Sequence, residues 1–585
     1  MTVADTITSI QTHVQEAYDA IANKGGAVPV DKNLENLDDA IKTLEDAGVT
    51  PGPYGALYYL ATINSKTVLR GVQLNTEADF NAMCTNTNYN STITVNGATI
   101  IKSAVVRYAY GTEPITEIPD YFCAYFSSMI QMTTMPNSVT KIGNYFMYYC
   151  QAHNQQIVFP DNLIEIGSNF LVYNNKRSSL PDLSNTKITA IPNNFCNFSR
   201  SVNSTMIIPE GVTSIGANFL YGCSNFNSKI TLPGTLKTID NYFLGFSTSY
   251  NQPIEITSPI TSIGNYFLYK CSSFAASITI NGNDGTIGNS FAEGISTISS
   301  TSAPKSIDLT GSWTNIGSNF LVNSAVLNCP ITIAGNKLAV GNSFLAYQTN
   351  FNSQVTFTGT MTSIGNGFMR QCTPLSAAPV FADGLETIGS YFMYEDAGIV
   401  PSSLKFPTVT TVGDYFLYKA GISSFNGTAL VYMSALKKAG NNFCYACRSG
   451  QYVPNCPNLE EVGNFFCAHC SFTQFADDVM YPKLKTIGSS FMAYCTGLQT
   501  PAPLQLPTTL TTPIPTNFLY DCPAITKIAI PANVTFAKSD TTLSTINKMD
   551  LISYTQGITL SGEGAAAAKT ALPNLTSGTW RRKLL

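Results

Sequence analysis

Ile142-Gly143-Asn144-Tyr145-Phe146-Met147-Tyr148-Tyr149-Cys150 is the stretch from which the fold is read, because the chain keeps returning to it. An apolar residue, Gly, Asn or Ser, a variable residue, Phe, and Leu or Met recur with the Phe at 122, 146, 170, 195, 219, 243, 267, 291, 320, 344, 368, 392, 416, 443, 466, 491 and 518. Ten of the sixteen intervals are 24 residues long and the rest run from 23 to 29. A period of this size marks a solenoid in which each unit touches only its neighbours, so 585 residues need not mean several compact cores.

Each unit continues from the Phe motif into a loop and then an alternating segment, such as Ile230-Thr231-Leu232-Pro233, Ile254-Glu255-Ile256 or Val355-Thr356-Phe357. Alternation gives a short strand with one face inward, and Pro, which cannot donate to a ladder, ends it. The Phe segment reads as one helical turn. Apolar groups at Phe and four residues later would share a side, and the residue two before Phe (Asn144, Ser168, Asn241, Asn265, Asn289, Ser318, Asn342, Asn366, Ser390, Asp414, Asn441, Asn464) is of the N-capping type. Stacked at about 4.8 Å per unit, seventeen units would form a rod or arc roughly 80 Å long around a Phe column.

Residues 1–49 differ from the rest. Ile7, Ile10, Val14, Ala17 and Ile21, then Leu34, Leu37, Ile41 and Leu44 beyond Gly25-Gly26, give two helical stripes, with nine Asp/Glu against three Lys. Helices this short do not persist alone in water, so the pair must close on itself, on a sister chain or on a docking partner. Pro51-Gly52-Pro53 breaks the chain. Residues 50–110 read as a β-rich N-terminal cap with a hairpin at Asn96-Gly97, 111–530 as the repeats and 531–585 as a C-terminal cap.

Composition narrows the function. Charged residues make up 12% of the chain against roughly 25% in ordinary domains, and net charge is −4, so the term that drives nucleic-acid binding is missing. No apolar run reaches the ~18 residues of a membrane span, and the first residues lack a secretory signal's pattern, so neither membrane insertion nor signal-directed export is expected. Eight of fifteen cysteines (Cys150, Cys223, Cys271, Cys372, Cys447, Cys470, Cys495, Cys522) sit four residues after a repeat Phe. One shared slot suits free buried thiols better than a disulfide framework.

Cys444-x-x-Cys447 and Cys467-x-x-Cys470, nineteen residues apart, match a zinc spacing. The repeat places both pairs at Phe+1 and Phe+4 of consecutive units, and no metal or cofactor is expected. Of the histidines, His13, His153 and His469, only His469 adjoins a cysteine. A Cys–His nucleophile would still need an orienting group and a pocket. The carboxylates Glu386, Glu395, Asp396, Glu460, Glu461, Asp477 and Asp478 recur at no fixed slot, as a glycosidase pair would require. No catalytic residue is assigned. The feature that does recur is aromatic: Tyr148, Tyr221, Tyr269, Tyr394, Tyr418, Tyr445 and Tyr520 all stand at Phe+2, where a helical turn would lean them outward as a binding row. The competing reading is that each ring covers its neighbour's backbone.

Ile215-Gly216-Ala217-Asn218-Phe219-Leu220-Tyr221-Gly222-Cys223 followed by Ile230-Thr231-Leu232-Pro233 resembles the BspA-type leucine-rich repeat, an Ile-Gly-x-x-Ala-Phe-x-x-Cys-like core and an Ile-x-Ile-Pro strand. The resemblance covers about 420 of the 585 residues and departs in having Asn, Tyr or Ser where that family has Ala before Phe. It implies a leucine-rich-repeat solenoid, here with a short β-strand plus a one-turn helix per unit, an N-terminal helical hairpin and terminal caps. It also implies an extracellular or virion-borne adhesion protein. The segment through Lys32-Asn33-Leu34-Glu35-Asn36-Leu37 and the closing segment look like those of leucine-rich-repeat proteins of tailed phages. The expectation is a non-enzymatic recognition protein of a phage virion (tail, baseplate or head fibre), docked to other virion proteins through residues 1–49. It would bind a host surface protein or glycan, with a homotrimer left open. The alternatives are a virion spacer or decoration protein, a bacterial or protist surface adhesin, and a polysaccharide depolymerase.

Overall fold

A computed structural model describes residues 12–19, 49–63, 66–295, 298–299, 305–324, 327–348, 351, 353–372, 378–396, 404–420, 431–447, 452–475, 480–499, 503–515, 517–522, 524–525, 527–535 and 559–566. The chain divides into two units, Met1–Ala276 and Ser277–Leu585.

The turn around each core Phe decides the architecture, and it is not helical. In all seventeen coils the residues just before, just after and three after the Phe have positive φ: Tyr145 at 60°, Met147 at 48° and Tyr149 at 62° around Phe146. Alternating signs of φ forbid the i→i−4 ladder of a helix, so the one-turn helix read from the Phe/Phe+4 spacing is wrong. Backbone donors run sideways instead. Tyr145 N–H donates to the Ser168 carbonyl of the next coil at 2.8 Å, Met147 N–H to Phe122 O of the previous coil at 2.9 Å, and Tyr149 N–H to Val172 O at 2.9 Å. A left-handed non-glycine residue costs about 1–2 kcal/mol, so three per coil persist only because these bonds and the core offset them. The turn also buries Phe and its successor together, as with Phe146 and Met147, both 0% exposed.

The polar residue two before Phe caps no helix. It forms a ladder along the stack: Asn144 Oδ1 accepts from Ser168 N–H at 2.8 Å, Asn342 Oδ1 from Asn366 N–H at 2.8 Å and Asn366 Oδ1 from Ser390 N–H at 2.7 Å. The glycine before it is a matter of approach. A Cβ on Gly341 would lie 2.7 Å from Gly317 C and Ser318 N of the coil beneath. The slot four after Phe has its own task. The Sγ of Cys223 donates to Cys196 O at 3.1 Å and that of Cys372 to Leu345 O at 2.8 Å, while Ser199 and Ser247 hydroxyls make the equivalent bond at 2.7 Å. Most coils fill this slot with a small donor that gives the left-handed residue's carbonyl in the previous coil a side-chain hydrogen bond, although Phe126, Ile295 and Ala420 stand there in others.

In the first unit, residues 12–19 form helix α1, whose Val14, Ala17 and Tyr18 bury against Ala56, Tyr58, Val106 and Ala109 of the neighbouring sheet. The described part of the N-terminal stripe thus packs on its own chain. The second stripe, at Leu34 to Leu44, lies outside the described residues. Strands β1 (Gly55–Ile63), β2 (Lys66–Leu74) and, after helix α2 (Glu77–Ala82) and the hairpin β3 (Thr92–Val95) and β4 (Ala98–Ile101), β5 (Val105–Ala109) follow. β1 pairs antiparallel with β2 and β5, while the outer edge of β5 pairs parallel with Gln131–Met132. One strand thereby converts antiparallel pairing into the parallel stacking of the coils. Phe80 of α2 meets Phe122 at 5.5 Å between ring centroids and covers the end of the aromatic column. From Phe122 to Phe267 that column stacks at 5.1–5.8 Å with planes 7–14° apart.

The second unit carries its own column from Phe291 to Phe518, with centroids 4.9–5.4 Å apart. In its first coils the short strands fuse into ten-residue parallel strands, Ile278–Ile287, Ile307–Ile316, Ile331–Val340 and Val355–Ile364, bent by register shifts around the buried Trp313. Later coils return to two-residue strands such as Thr387–Ile388 and Thr411–Val412.

Substitutions at two positions test this framework. Phe320→Ala should cost about 3–5 kcal/mol, read as lost hydrogen-exchange protection in its own and adjoining coils. Cys223→Ser should stay within about 0.5 kcal/mol of the parent in denaturant titrations, whereas Cys223→Val, which leaves the Cys196 carbonyl only the Ser199 N–H, should lose about 1–1.5 kcal/mol.

Candidate aromatic recognition strip

All seven tyrosines of the Phe+2 row are half-buried. In the first unit Tyr148, Tyr221 and Tyr269 belong to separated coils, and each meets a tyrosine of the Phe−1 slot edge-on: Tyr145 at 5.5 Å, Tyr242 at 5.4 Å and Tyr266 at 5.1 Å. In the second unit the row becomes continuous. Tyr394, Tyr418 and Tyr445 occupy consecutive coils and stack at 4.9 Å with planes 6° and 11° apart. Tyr445 then meets His469 at 5.1 Å, His469 stacks on Tyr494 at 4.3 Å, and Tyr494 contacts Tyr520 at 5.1 Å. At the other end the Arg370 guanidinium lies 5.1 Å from Tyr394, 4.9 Å from Tyr391 and 5.7 Å from Tyr347.

Tyr391, Tyr415, His469 and Tyr494 were missed from sequence because only the Phe+2 slot was followed, and Arg370, which does stand at Phe+2, because only tyrosines were followed there. The Phe−1 and Phe+3 slots recur just as regularly, and the left-handed backbone at both places their side chains beside the row.

Stacking determines what the strip offers. Tyr418 has a tyrosine on each face, so its solvent-facing part is the ring rim and hydroxyl rather than a flat platform. Tyr347, Tyr494 and Phe465 are each 40–41% exposed, and His469 is exposed as well. Around Tyr394 and Tyr418, Gln371 donates to Glu395 at 3.0 Å and Lys419 lies 3.5 Å from the same carboxylate. Glu395 is held below the usual carboxylate range by the Gln371 hydrogen bond and then Lys419. Burial, and secondarily Glu395, raises the Tyr394 phenol.

Several of the other residues considered from sequence have structural roles. All fifteen cysteines are free, and all but Cys84 are buried. Burial holds Cys444 and Cys467 well above the ordinary thiol range, and the Sγ of Cys470 donates to Cys444 O at 2.7 Å. Among the described residues no three His, Cys, Asp or Glu side chains stand in metal-holding geometry. Glu460 pairs with Lys485 and Glu461 with Lys438. Asp396 is buried in a Phe+4 slot, where it accepts from Cys372 N–H at 2.6 Å and burial raises its pKa. Asp477 and Asp478 lie outside the described residues. No described helix is long and apolar enough to cross a membrane.

Parallel coils of this kind, each a short strand and an irregular return around a shared apolar column, define a leucine-rich-repeat β-solenoid. The chain belongs to the BspA type leucine rich repeat region family, whose model matches in six overlapping copies at residues 116–242, 189–324, 296–400, 377–499, 410–547 and 477–576. Solenoids of this family are generally non-catalytic scaffolds, and the chain is not an enzyme. A crystal structure of a leucine-rich repeat protein from Bacteroides ovatus is similar at 15% identity over 81% of this chain and 95% of that one, with a TM-score of 0.37. No curated protein matches the sequence.

Tyr148 gives a pH test. Burial, then the neighbouring Tyr125 and Tyr173, push its phenol up to about 12. A folded value above the unfolded one, near 10, means the stabilisation is complete below pH ~10 and is lost as pH rises towards 12. Tyr148→Phe should flatten that loss in alkaline melting curves.

Proposed function

We propose that this chain is an adhesion or recognition protein of a cell surface, and that its binding face is the aromatic strip of the second unit. The observation that supports this is the continuity of Arg370, Tyr394, Tyr418, Tyr445, His469, Tyr494 and Tyr520 across consecutive coils. Tyr and Arg are the residues that most often carry binding energy, and tyrosines already fixed by stacking lose little entropy on contact. Ring rims and hydroxyls beside Arg, Gln and Lys suit a polar partner, a surface protein or glycan, reached by hydrogen bonds and edge contacts. A bacterial surface is preferred to a phage particle. The repeat family supports adhesion without a virion, whereas the phage resemblance rests only on the segment through residues 32–37 and the closing segment.

Full-length Tyr394→Ala/Tyr418→Ala should keep the parent's circular dichroism and, on glycan arrays and whole bacterial cells, lose at least about tenfold in affinity. Unchanged binding by the folded double variant would reject the strip as the contact face. Retention on protease-treated cells would assign a glycan rather than a protein.

A further inference from the structure

The seventh residue after the core Phe supplies a second, smaller inward column. In the first unit it is Val202, Phe226, Tyr250 and Phe274, all buried, with Phe226 and Tyr250 stacked at 5.6 Å. Two consecutive coils break this pattern with His153 and Arg177, which are nonetheless 0% exposed.

The contacts between these two leave an imbalance. Arg177 Nη1 donates to His153 Nδ1 at 3.3 Å and to Gln155 O at 3.1 Å. A guanidinium has only donors, so His153 Nδ1 must accept, and the imidazole proton stands on Nε2. Among the described residues nothing accepts from His153 Nε2 or from Arg177 Nε and Nη2, and the amide nitrogen of the adjoining buried Asn174 is likewise unpartnered. Every one of these orphaned atoms is a donor. No carboxylate within the described residues forms an ion pair with Arg177. Burial lowers the Arg177 pKa to about 10, which leaves it charged at neutral pH, and burial followed by the Arg177 charge keeps His153 neutral.

A buried cation surrounded by unused donors asks for an anion. We infer that the Nε–Nη2 edge of Arg177 is an internal receptor for a small inorganic anion of the halide class, held within the first unit by the unpartnered guanidinium N–H groups beside His153. A water molecule could use some of the donors but would leave the charge uncompensated. A halide does both, as a single acceptor that carries the compensating charge. Bound there, it ties the stability of these coils to the halide content of the surroundings.

Crystals of the full chain soaked in sodium bromide decide the matter on the unaltered protein. An anomalous peak at the bromine edge within hydrogen-bonding reach of Arg177 Nε and Nη2 is expected. An ordered Arg177 with water or no density beside it overturns the inference. In solution, the melting temperature should be several degrees higher in sodium chloride or bromide than in sodium gluconate at equal ionic strength. His153→Phe/Arg177→Met, which restores the apolar column, should melt at one temperature in all three salts. An undiminished halide dependence in that variant overturns the inference equally.

Discussion

Everything in this structure depends on backbone amides that point along the stack instead of back into their own coil. Three left-handed residues around each Phe are unfavourable in isolation. They are retained because alternating φ sends successive N–H groups to the coil above and the coil below, as Tyr145 and Met147 do around Phe146. The Asn ladder, the glycine without a Cβ and the thiol that reaches the previous coil's carbonyl are three solutions to what that turn demands. A coil cannot adopt the turn alone, so the strain and its relief are both properties of neighbours.

Much of this was legible beforehand and the central part was not. The period, the Phe column and the strand with its buried Ile followed from spacing, because burial imposes a repeat that needs no knowledge of backbone angles. The turn was misread for a reason that Asn144 illustrates. A polar residue before an apolar run caps helices often enough to suggest one, yet here its carboxamide satisfies the amide of Ser168, 24 residues away. Local propensity describes a residue with its sequence neighbours, whereas this turn is stabilised across coils. The positive φ of the tyrosine before Phe, as at Tyr391 and Tyr415, is invisible in sequence, since aromatic residues avoid that region unless something holds them there.

In the proposed reading the tyrosine row serves packing and recognition with one set of atoms. Stacking at 4.9 Å gives each ring of Tyr394, Tyr418 and Tyr445 an energetic reason to exist without any partner. The same stacking fixes the hydroxyls in a line and removes the freedom that binding would otherwise have to quench. Arg370, spread over three rings, belongs to both roles. His469 extends the stack where a tyrosine is lacking, which explains its position between two repeat cysteines without invoking chemistry.

β5 carries a consequence for how such a chain changes size. Its inner edge is committed to the antiparallel cap and its outer edge accepts any strand that arrives parallel. Nothing in that junction counts how many copies come after it. Whole coils can therefore be gained or lost by gene duplication and deletion while the starting template stays intact, and reach becomes a heritable quantity adjusted in steps of one copy.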